Sequence, residues 1–404
     1  MFKKLYYRMY QKSLYIAAHF VNYNEPKLLV QTNGLLSIPE MMKKEGCFSA
    51  YIVADPFIVE SGRLQPLLDA LHEVHINYGV YSKIKPNPTV DLVEDAYSDF
   101  YYYGGFDTII SVGGGSPMDL AKLVGIKSRY PKRSIRSFKG VLTVHKKLPL
   151  MIAVPTTVGT GSEATLAAVV TDATTKEKYA IMDPSLVPNY AILDDELVKD
   201  LPPHLISTTA MDALTHAIEA FIGQSTTHKT RAYAKEAVKT ILNHIYDAYQ
   251  GKPESIKELQ LASYKAGVAF TRSYVGNVHA IAHQLGGFYN VAHGLANAIV
   301  LPHILRYYGK KVYQKLAILA KYAGICDKEV SIKDAAFTLI EMIESLNGKM
   351  NIPVSFNGLI KKEDIPALAK RAHDEANPLY PVPVIMNYDA FYDMYRKINE
   401  VNHA

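Results

Sequence analysis

Asp212 and His216 lie four residues apart in Met211-Asp-Ala-Leu-Thr-His216, a segment compatible with a helix. On a helix, that spacing puts both side chains on one face. His279 and His283 repeat the spacing in Val278-His-Ala-Ile-Ala-His283, and His293 follows in Ala292-His293-Gly294. One carboxylate and several imidazoles on apolar helices are costly to bury unless something compensates. A divalent cation compensates, because it requires donors of this kind. Asp212, His216, His279, His283 and His293 are therefore the candidates for such a site. A lone histidine on such a face would read as structural; three within fifteen residues, with an Asp/His pair elsewhere, reverse that reading. His72, His75, His145, His228, His244 and His403 sit in polar or amphipathic settings and suggest no chemistry. His303, just after Pro302, reads as a packed, hydrogen-bonded side chain.

These side chains need elements to position them. The chain has 404 residues, which suggests two domains. Its first half alternates short apolar strands with amphipathic helices. Strands are predicted at 51–54, 78–81, 107–112 and 150–154, and helices at 64–74, 90–103 and from about 115 to 126. That alternation implies a parallel sheet with helices on both faces. Beyond Leu201-Pro-Pro203 the pattern turns helical, with helices predicted over 206–222, 229–248, 256–272, 312–322 and 333–346. The second half is expected to be all-α, with the site in a cleft between the two domains.

The strand at 107–112 runs into Gly113-Gly-Gly-Ser-Pro-Met-Asp119. Glycines there let backbone N–H groups approach a pyrophosphate, and the following helix N-terminus supplies positive potential. It is neither the usual dinucleotide fingerprint nor a P-loop, and a plain strand-to-helix turn would look the same. Asp55 ends an early strand. A carboxylate there can accept hydrogen bonds from an adenosine ribose and repel a 2′-phosphate, favouring NAD over NADP; it can equally cap a turn before Pro56. Thr156, Thr157 and Thr160 follow another strand end and can offer hydroxyls to a cofactor, although Thr and Gly suit turns anyway.

Composition excludes several function classes. The net charge of +5 is a weak basic excess and no argument for nucleic acid. The densest basic runs, Lys122 to Lys139 and Lys361 to Arg371, read as solvated surface. Two distant cysteines, Cys47 and Cys326, cannot build a disulfide framework, which points to a reducing compartment with cytoplasm as the default. The apolar patch Leu14 to Ala18 lacks a convincing cleavage site, so no signal peptide is expected. The nearest approach to a membrane span, Ala280 to Leu301, carries His283, Gln284, Asn290, His293 and Asn297.

The combination resembles the iron-containing (group III) alcohol dehydrogenases. The matching stretches are Gly113-Gly-Gly-Ser-Pro-Met-Asp-Leu-Ala-Lys122, Pro155-Thr-Thr-Val-Gly-Thr-Gly-Ser-Glu163, Met211-Asp-Ala-Leu-Thr-His-Ala-Ile-Glu219 and Val278 to Pro302, with Lys85-Pro-Asn-Pro-Thr89 and Asn377-Pro-Leu-Tyr-Pro-Val-Pro383 in support. The resemblance implies a dehydroquinate-synthase-like α/β nucleotide-binding domain over 1–200 and an all-α metal-binding domain over 201–404. It implies one divalent metal on Asp212, His216, His279 and His293, with Fe2+ suggested by the family name and Zn2+ suited to the same donors. His283 would be the non-ligand catalytic histidine beside substrate and nicotinamide. Asp55, Asn87, Gly114, Gly115, Ser116, Asp119, Thr156, Thr157, Thr160 and Lys178 would line the NAD cleft. Residues 1–25 lie outside the resemblance, as an added arm or lid. Where the family often has Gly-x-Gly after its first strand, this chain has Thr32-Asn33-Gly34.

The expected chemistry is reversible hydride transfer between a short primary alcohol or diol and its aldehyde, in a homo-oligomer that binds neither nucleic acid nor membrane. A polyol dehydrogenase, or a lyase of the same superfamily that uses NAD transiently, is the alternative. A metal-dependent hydrolase that binds a substrate phosphate at the glycine turn is a third reading.

Overall fold

A computed structural model describes residues 2–18, 24–175 and 177–400; residues 19–23 of the expected arm and His403 lie outside them. The chain forms two compact units. One comprises Asn22–Asp200; the other comprises Leu201–Ala404 together with Met1–Val21.

The α/β unit carries strands β1 (Lys27–Val30), β2 (Ser49–Ala54), β3 (Asn77–Tyr81), β4 (Thr108–Gly113), β5 (Gly140–Val141), β6 (Leu150–Pro155), β7 (Ala167–Asp172), β8 (Glu177–Met182) and β9 (Tyr190–Leu193). A helix near the chain's start, α1 (Phe2–Ala18), precedes β1. The α/β helices are α2 (Ile38–Lys44), α3 (Pro56–Glu60), α4 (Gln65–Glu73), α5 (Val90–Tyr102) and α6 (Gly115–Arg129). A six-stranded sheet runs in the order β1-β9-β6-β4-β2-β3, every pairing parallel. Successive strand residues face opposite sides. Tyr51, Val53 and Ile109 pack in one core with Leu120 and Val124 of α6, while Ile52, Ala54, Ile110 and Val112 pack in another with Leu67 and Leu71 of α4. Both faces are therefore covered, as an all-parallel sheet requires.

Short strands escaped the sequence reading. β1 and β9 have four residues each. A second sheet, β5-β8-β7, contains an antiparallel β7–β8 pair. The Thr32-Asn33-Gly34 departure is tolerated structurally. Asn33 takes the left-handed conformation at φ 57°, and its N–H donates to Asp194 Oδ1 at 3.0 Å. The remaining glycine is needed, since a Cβ on Gly34 would sit 2.6 Å from Ile192 Cγ2.

In the basic run from Lys122 to Lys139, Arg129, Lys132, Arg133, Arg136 and Lys139 are exposed as expected, but its first two lysines are not. Lys122 is fully buried and Lys127 nearly so. Lys122 Nζ donates to the carbonyls of Ser162, Thr165 and Ala167 and to the hydroxyls of Ser162 and Thr165. Burial of an ammonium is tolerated there because its donors are met by oxygen atoms. Lys361, Lys362 and Lys370 are exposed, as expected.

The other unit is helical: α7 (Pro203–Ile222), α8 (His228–Tyr249), α9 (Pro253–Ser273), α10 (Asn277–Tyr289), α11 (His293–Tyr308), α12 (Tyr313–Ala323), α13 (Ile332–Lys349), α14 (Ile365–Ala376) and α15 (Tyr388–Ile398). α1 groups with this unit although it precedes β1 in the chain. Among the described residues, no helix is long and apolar enough to cross a membrane.

Candidate functional site

α7 is buried at every residue from Ala210 to Ile222. Polar groups on such a helix must find partners within the protein. Asp212, His216 and Glu219 follow a helical repeat and share a face. Glu219 accepts from the N–H groups of Gly276 at 2.7 Å and Val278 at 2.9 Å, where α10 begins. These donors are at a helix start and have no carbonyl one turn earlier to bond. The approach requires glycine: a Cβ on Gly276 would fall 2.5 Å from Glu219 Oε1. Glu219 Oε2 also accepts from His279 Nδ1 at 2.7 Å. That bond fixes the imidazole so that Nε2 looks toward Asp212, 3.7 Å from its Oδ1.

His293 is the first residue of α11, and its Nε2 lies 3.5 Å from Asp212 Oδ1. The helix comes this close because Gly294 has no side chain; a Cβ there would meet the Thr208 carbonyl oxygen at 2.2 Å. His216 stacks between Phe270 of α9, at 4.0 Å between ring centres, and His279, at 4.4 Å. One donor atom from each of Asp212, His216, His279 and His293 lies within 4.8 Å of the others. The four predicted ligands are thus brought together.

Three imidazoles and one carboxylate suit Fe2+, Zn2+, Co2+ or Ni2+. A carboxylate behind a ligating histidine is the usual outer support of a metal site. The electrostatics agree. Burial alone would push Asp212 up, but His216, His293 and His279 outweigh it and hold the carboxyl far below its usual range. Burial works to lower His279, yet the neighbouring Asp212 carboxylate and the hydrogen bond to Glu219 push it up to about 9. A cation would compete with a proton for the His279 Nε2 lone pair.

Three participants escaped the sequence reading. Glu219 is the first. Asn297 is the second: its Nδ2 lies 2.6 Å from Asp212 Oδ1 and 3.2 Å from Nε2 of both His279 and His293. Glu375 is the third. It accepts from His283 Nδ1 at 2.6 Å, Gln284 Nε2 at 2.7 Å and the Tyr380 hydroxyl at 2.8 Å. His283 stacks over His293 with ring centres 5.1 Å apart. Its side chain is 18% exposed, against 1% for His279.

In the α/β unit, the register pairs Gly113 with Pro155 and so sets the carboxyl ends of β4 and β6 side by side. Ligands of open parallel sheets bind beyond such ends. A Cβ on Gly113 would fall 2.5 Å from Pro117 and 3.2 Å from Asp55 Cβ. Cβ atoms on Gly114 and Gly115 would sit 3.2 Å from Thr157 and 3.1 Å from Thr160. The Thr156 N–H donates to the Gly113 carbonyl at 3.0 Å. The bare turn therefore packs directly against Asp55 and the threonine loop. Asn87 donates its N–H to Ser116 Oγ at 3.3 Å and accepts from Lys178 Nζ at 2.8 Å. Gly114 is the N-cap of α6 and, having no side chain, contributes no capping group of its own.

Asp55 also accepts from the Phe57 N–H at 3.0 Å, so it caps α3 as well. Asp119 accepts from Ser162 Oγ and the Val169 N–H, and both its oxygens serve the protein.

The family described as iron-containing alcohol dehydrogenase matches residues 26–195, and its C-terminal counterpart matches residues 206–398. The chain is 34% identical over 341 residues to lactaldehyde reductase of Escherichia coli (strain K12), covering 84% of this chain and 89% of that protein. It is 32% identical over 353 residues to the NAD-dependent methanol dehydrogenase of Bacillus methanolicus, covering 87% and 92%. A solved 1,3-propanediol oxidoreductase superposes with a TM-score of 0.88 at 32% identity, over 93% of this chain and 99% of that one. With both halves matched and relatives about one-third identical over most of their own length, the chain belongs to the iron-containing alcohol dehydrogenase family and is an oxidoreductase of that kind.

Proposed function

We propose that the protein interconverts short primary alcohols or diols with their aldehydes, using NAD(H) and one divalent ion, with Fe2+ as the first choice and Zn2+ as the second. The observation that carries this reading is the gathering of Asp212, His216, His279 and His293 donors within 4.8 Å of one another. An ion held there would supply Lewis acidity toward an alcohol or carbonyl oxygen, and a bound nicotinamide would supply the hydride chemistry.

The chain's own residues do the rest. Glu219 holds His279 in the tautomer whose Nε2 faces the cluster. Asn297 Nδ2 donates to Asp212 Oδ1 and fixes the carboxylate's orientation. His283 donates from Nδ1 to Glu375, which leaves Nε2 as the ring atom that takes up the alcohol proton and returns it in the reverse direction. Gly114, Gly115 and Ser116 receive the pyrophosphate at the start of α6. Thr156, Thr157 and Thr160, with Asn87 and Lys178, flank it. Asp119 braces the loop behind this cradle through Ser162 and Val169, and Asp55 selects NAD.

A homo-oligomer fits β1, which ends the six-stranded sheet and leaves Leu28 and Val30 exposed. Both cysteines are free, in keeping with a reducing compartment such as the cytoplasm.

The test is elemental analysis of the purified protein, combined with NADH absorbance across a panel of alcohols and aldehydes. About one metal per chain and NADH accumulation with short primary alcohols or diols are expected. Metal-free active protein, or no net NADH with any alcohol, overturns the reading; the second result would point to a lyase.

A further inference from the structure

α1 precedes the region matched to the family, which begins at residue 26. Its contacts nonetheless converge on the segment that supports His283. Gln11 is 4% exposed. Its Nε2 donates to the carbonyls of Pro378 at 3.1 Å and Tyr380 at 2.7 Å. Arg8 donates from Nη1 to the Val382 carbonyl at 2.7 Å and from Nη2 to the Pro383 carbonyl at 3.1 Å. It also donates to Gln11 Oε1 at 2.8 Å, which fixes one side chain against the other.

The segment needs such donors. Pro378, Pro381 and Pro383 have no N–H, so the stretch cannot organise itself as a regular helix or strand. The Val382 N–H meets the Tyr380 carbonyl at 2.8 Å from within the stretch, and its other carbonyls look to donors elsewhere. The Gln224 N–H meets that of Pro381 at 2.8 Å; α1 meets those of residues 378, 380, 382 and 383.

Tyr380 sits in the middle of this stretch, almost wholly buried. Its hydroxyl donates to Glu375 Oε1, the same oxygen that accepts from His283 Nδ1. A continuous path therefore runs from Arg8 and Gln11 through the 378–383 backbone to Tyr380, then Glu375, then His283. Each link is a hydrogen bond or the chain itself.

We propose that α1 is a brace for His283, and that Arg8 and Gln11 are positioning residues for the proton-handling step. The proposal rests on the role assigned to His283 above. With the brace in place, Tyr380 holds the Glu375 carboxylate in one orientation, and the carboxylate holds the imidazole. Without it, the carbonyls of Pro378, Val382 and Pro383 lose their α1 donors, Tyr380 loses its fixed position, and Glu375 is left to Gln284 and His283 alone.

The experiment uses the full chain, metal-loaded, with Arg8→Ala/Gln11→Ala and the milder Gln11→Ala. In the double variant kcat is expected to fall about five- to tenfold, with metal content and the Kd for NAD unchanged; Gln11→Ala falls less. In a Tyr380→Phe background the same pair is expected to cost almost nothing further, because the path is already cut. A second readout needs no turnover. The strongly downfield N–H proton of His283, identified by its loss in His283→Gln, is expected to shift or broaden in the double variant. Unchanged kcat and an unchanged resonance, or a loss that simply adds to that of Tyr380→Phe, overturns the proposal. If the wild-type protein shows no dehydrogenase activity, the functional reading fails, and the resonance still decides whether α1 braces His283.

Discussion

Glu219 of α7 accepts the Nδ1 proton of His279 of α10, 60 residues away in sequence, at 2.7 Å. The same carboxylate ties down the Gly276 and Val278 N–H groups. One buried side chain thus sets both where α10 starts and which nitrogen of His279 faces the cluster. Loss of such an outer carboxylate weakens metal binding by about 10- to 100-fold. Glu219→Ala is expected to do so, and Glu219→Gln, which keeps one acceptor, to fall between it and the wild type. Competition against a chelator of known affinity measures this. Wild-type affinity in the alanine variant would show that the Glu219 bond serves only the fold.

His279→Ala removes a donor directly. Bound metal and turnover are both expected to disappear, as read by elemental analysis and NADH absorbance. The substitution also leaves buried Glu219 without its imidazole, at a cost of about 1–3 kcal/mol. Circular dichroism should show native helix content, so that the loss is local. A variant that keeps metal and activity would remove His279 from the ligand set.

The helical repeat made Asp212 and His216 legible, because a three-to-four spacing on an apolar helix needs no tertiary information. The strand-glycine-proline pattern at 108–117 was legible for the same reason. The residues that complete the site were not. Glu219 meets its partners 57 to 60 positions away, and Glu375 meets His283 across 92. No local period encodes such distances. Asn297 looked like an ordinary polar residue on α11, and only the approach of α7 and α10 gives it a role. Lys122 misled for a related reason. A lysine among other basic residues reads as surface until the loop at 162–167 closes over it with five oxygen acceptors.

Asp55 follows the carboxyl end of β2 and packs against Gly113. Asp55→Gly removes the charge that would oppose a 2′-phosphate. Glycine is itself tolerated at a helix start, so the lost cap of α3 costs only a few tenths of a kcal/mol. The ratio of kcat/KM for NADP over NAD is expected to rise about tenfold or more. An unchanged ratio would leave Asp55 as a helix cap and nothing else.

Glu163 is buried beside Lys122, whose ammonium donates to Ser162, Thr165 and Ala167 instead. Burial pushes its carboxyl up to about 7, with the Lys122 charge offsetting only part of the cost. The folded state therefore binds this proton more tightly than the unfolded chain. Stability from this group is full below about pH 4.5 and is lost as pH rises to about 7. Burial also brings Lys122 down to about 8. Its penalty has the opposite course, standing below pH 8 and easing toward 10.5. Both penalties coincide between pH 7 and 8. Glu163→Gln removes the first of them but also takes away a charge that favours Lys122. The variant is therefore expected to match the wild type near pH 4.5 and to exceed it by about 1–3 kcal/mol near pH 8. Thermal unfolding midpoints from pH 5 to pH 8 should diverge in that sense. Parallel curves would mean that Glu163 stays ionised at no cost inside the α/β unit.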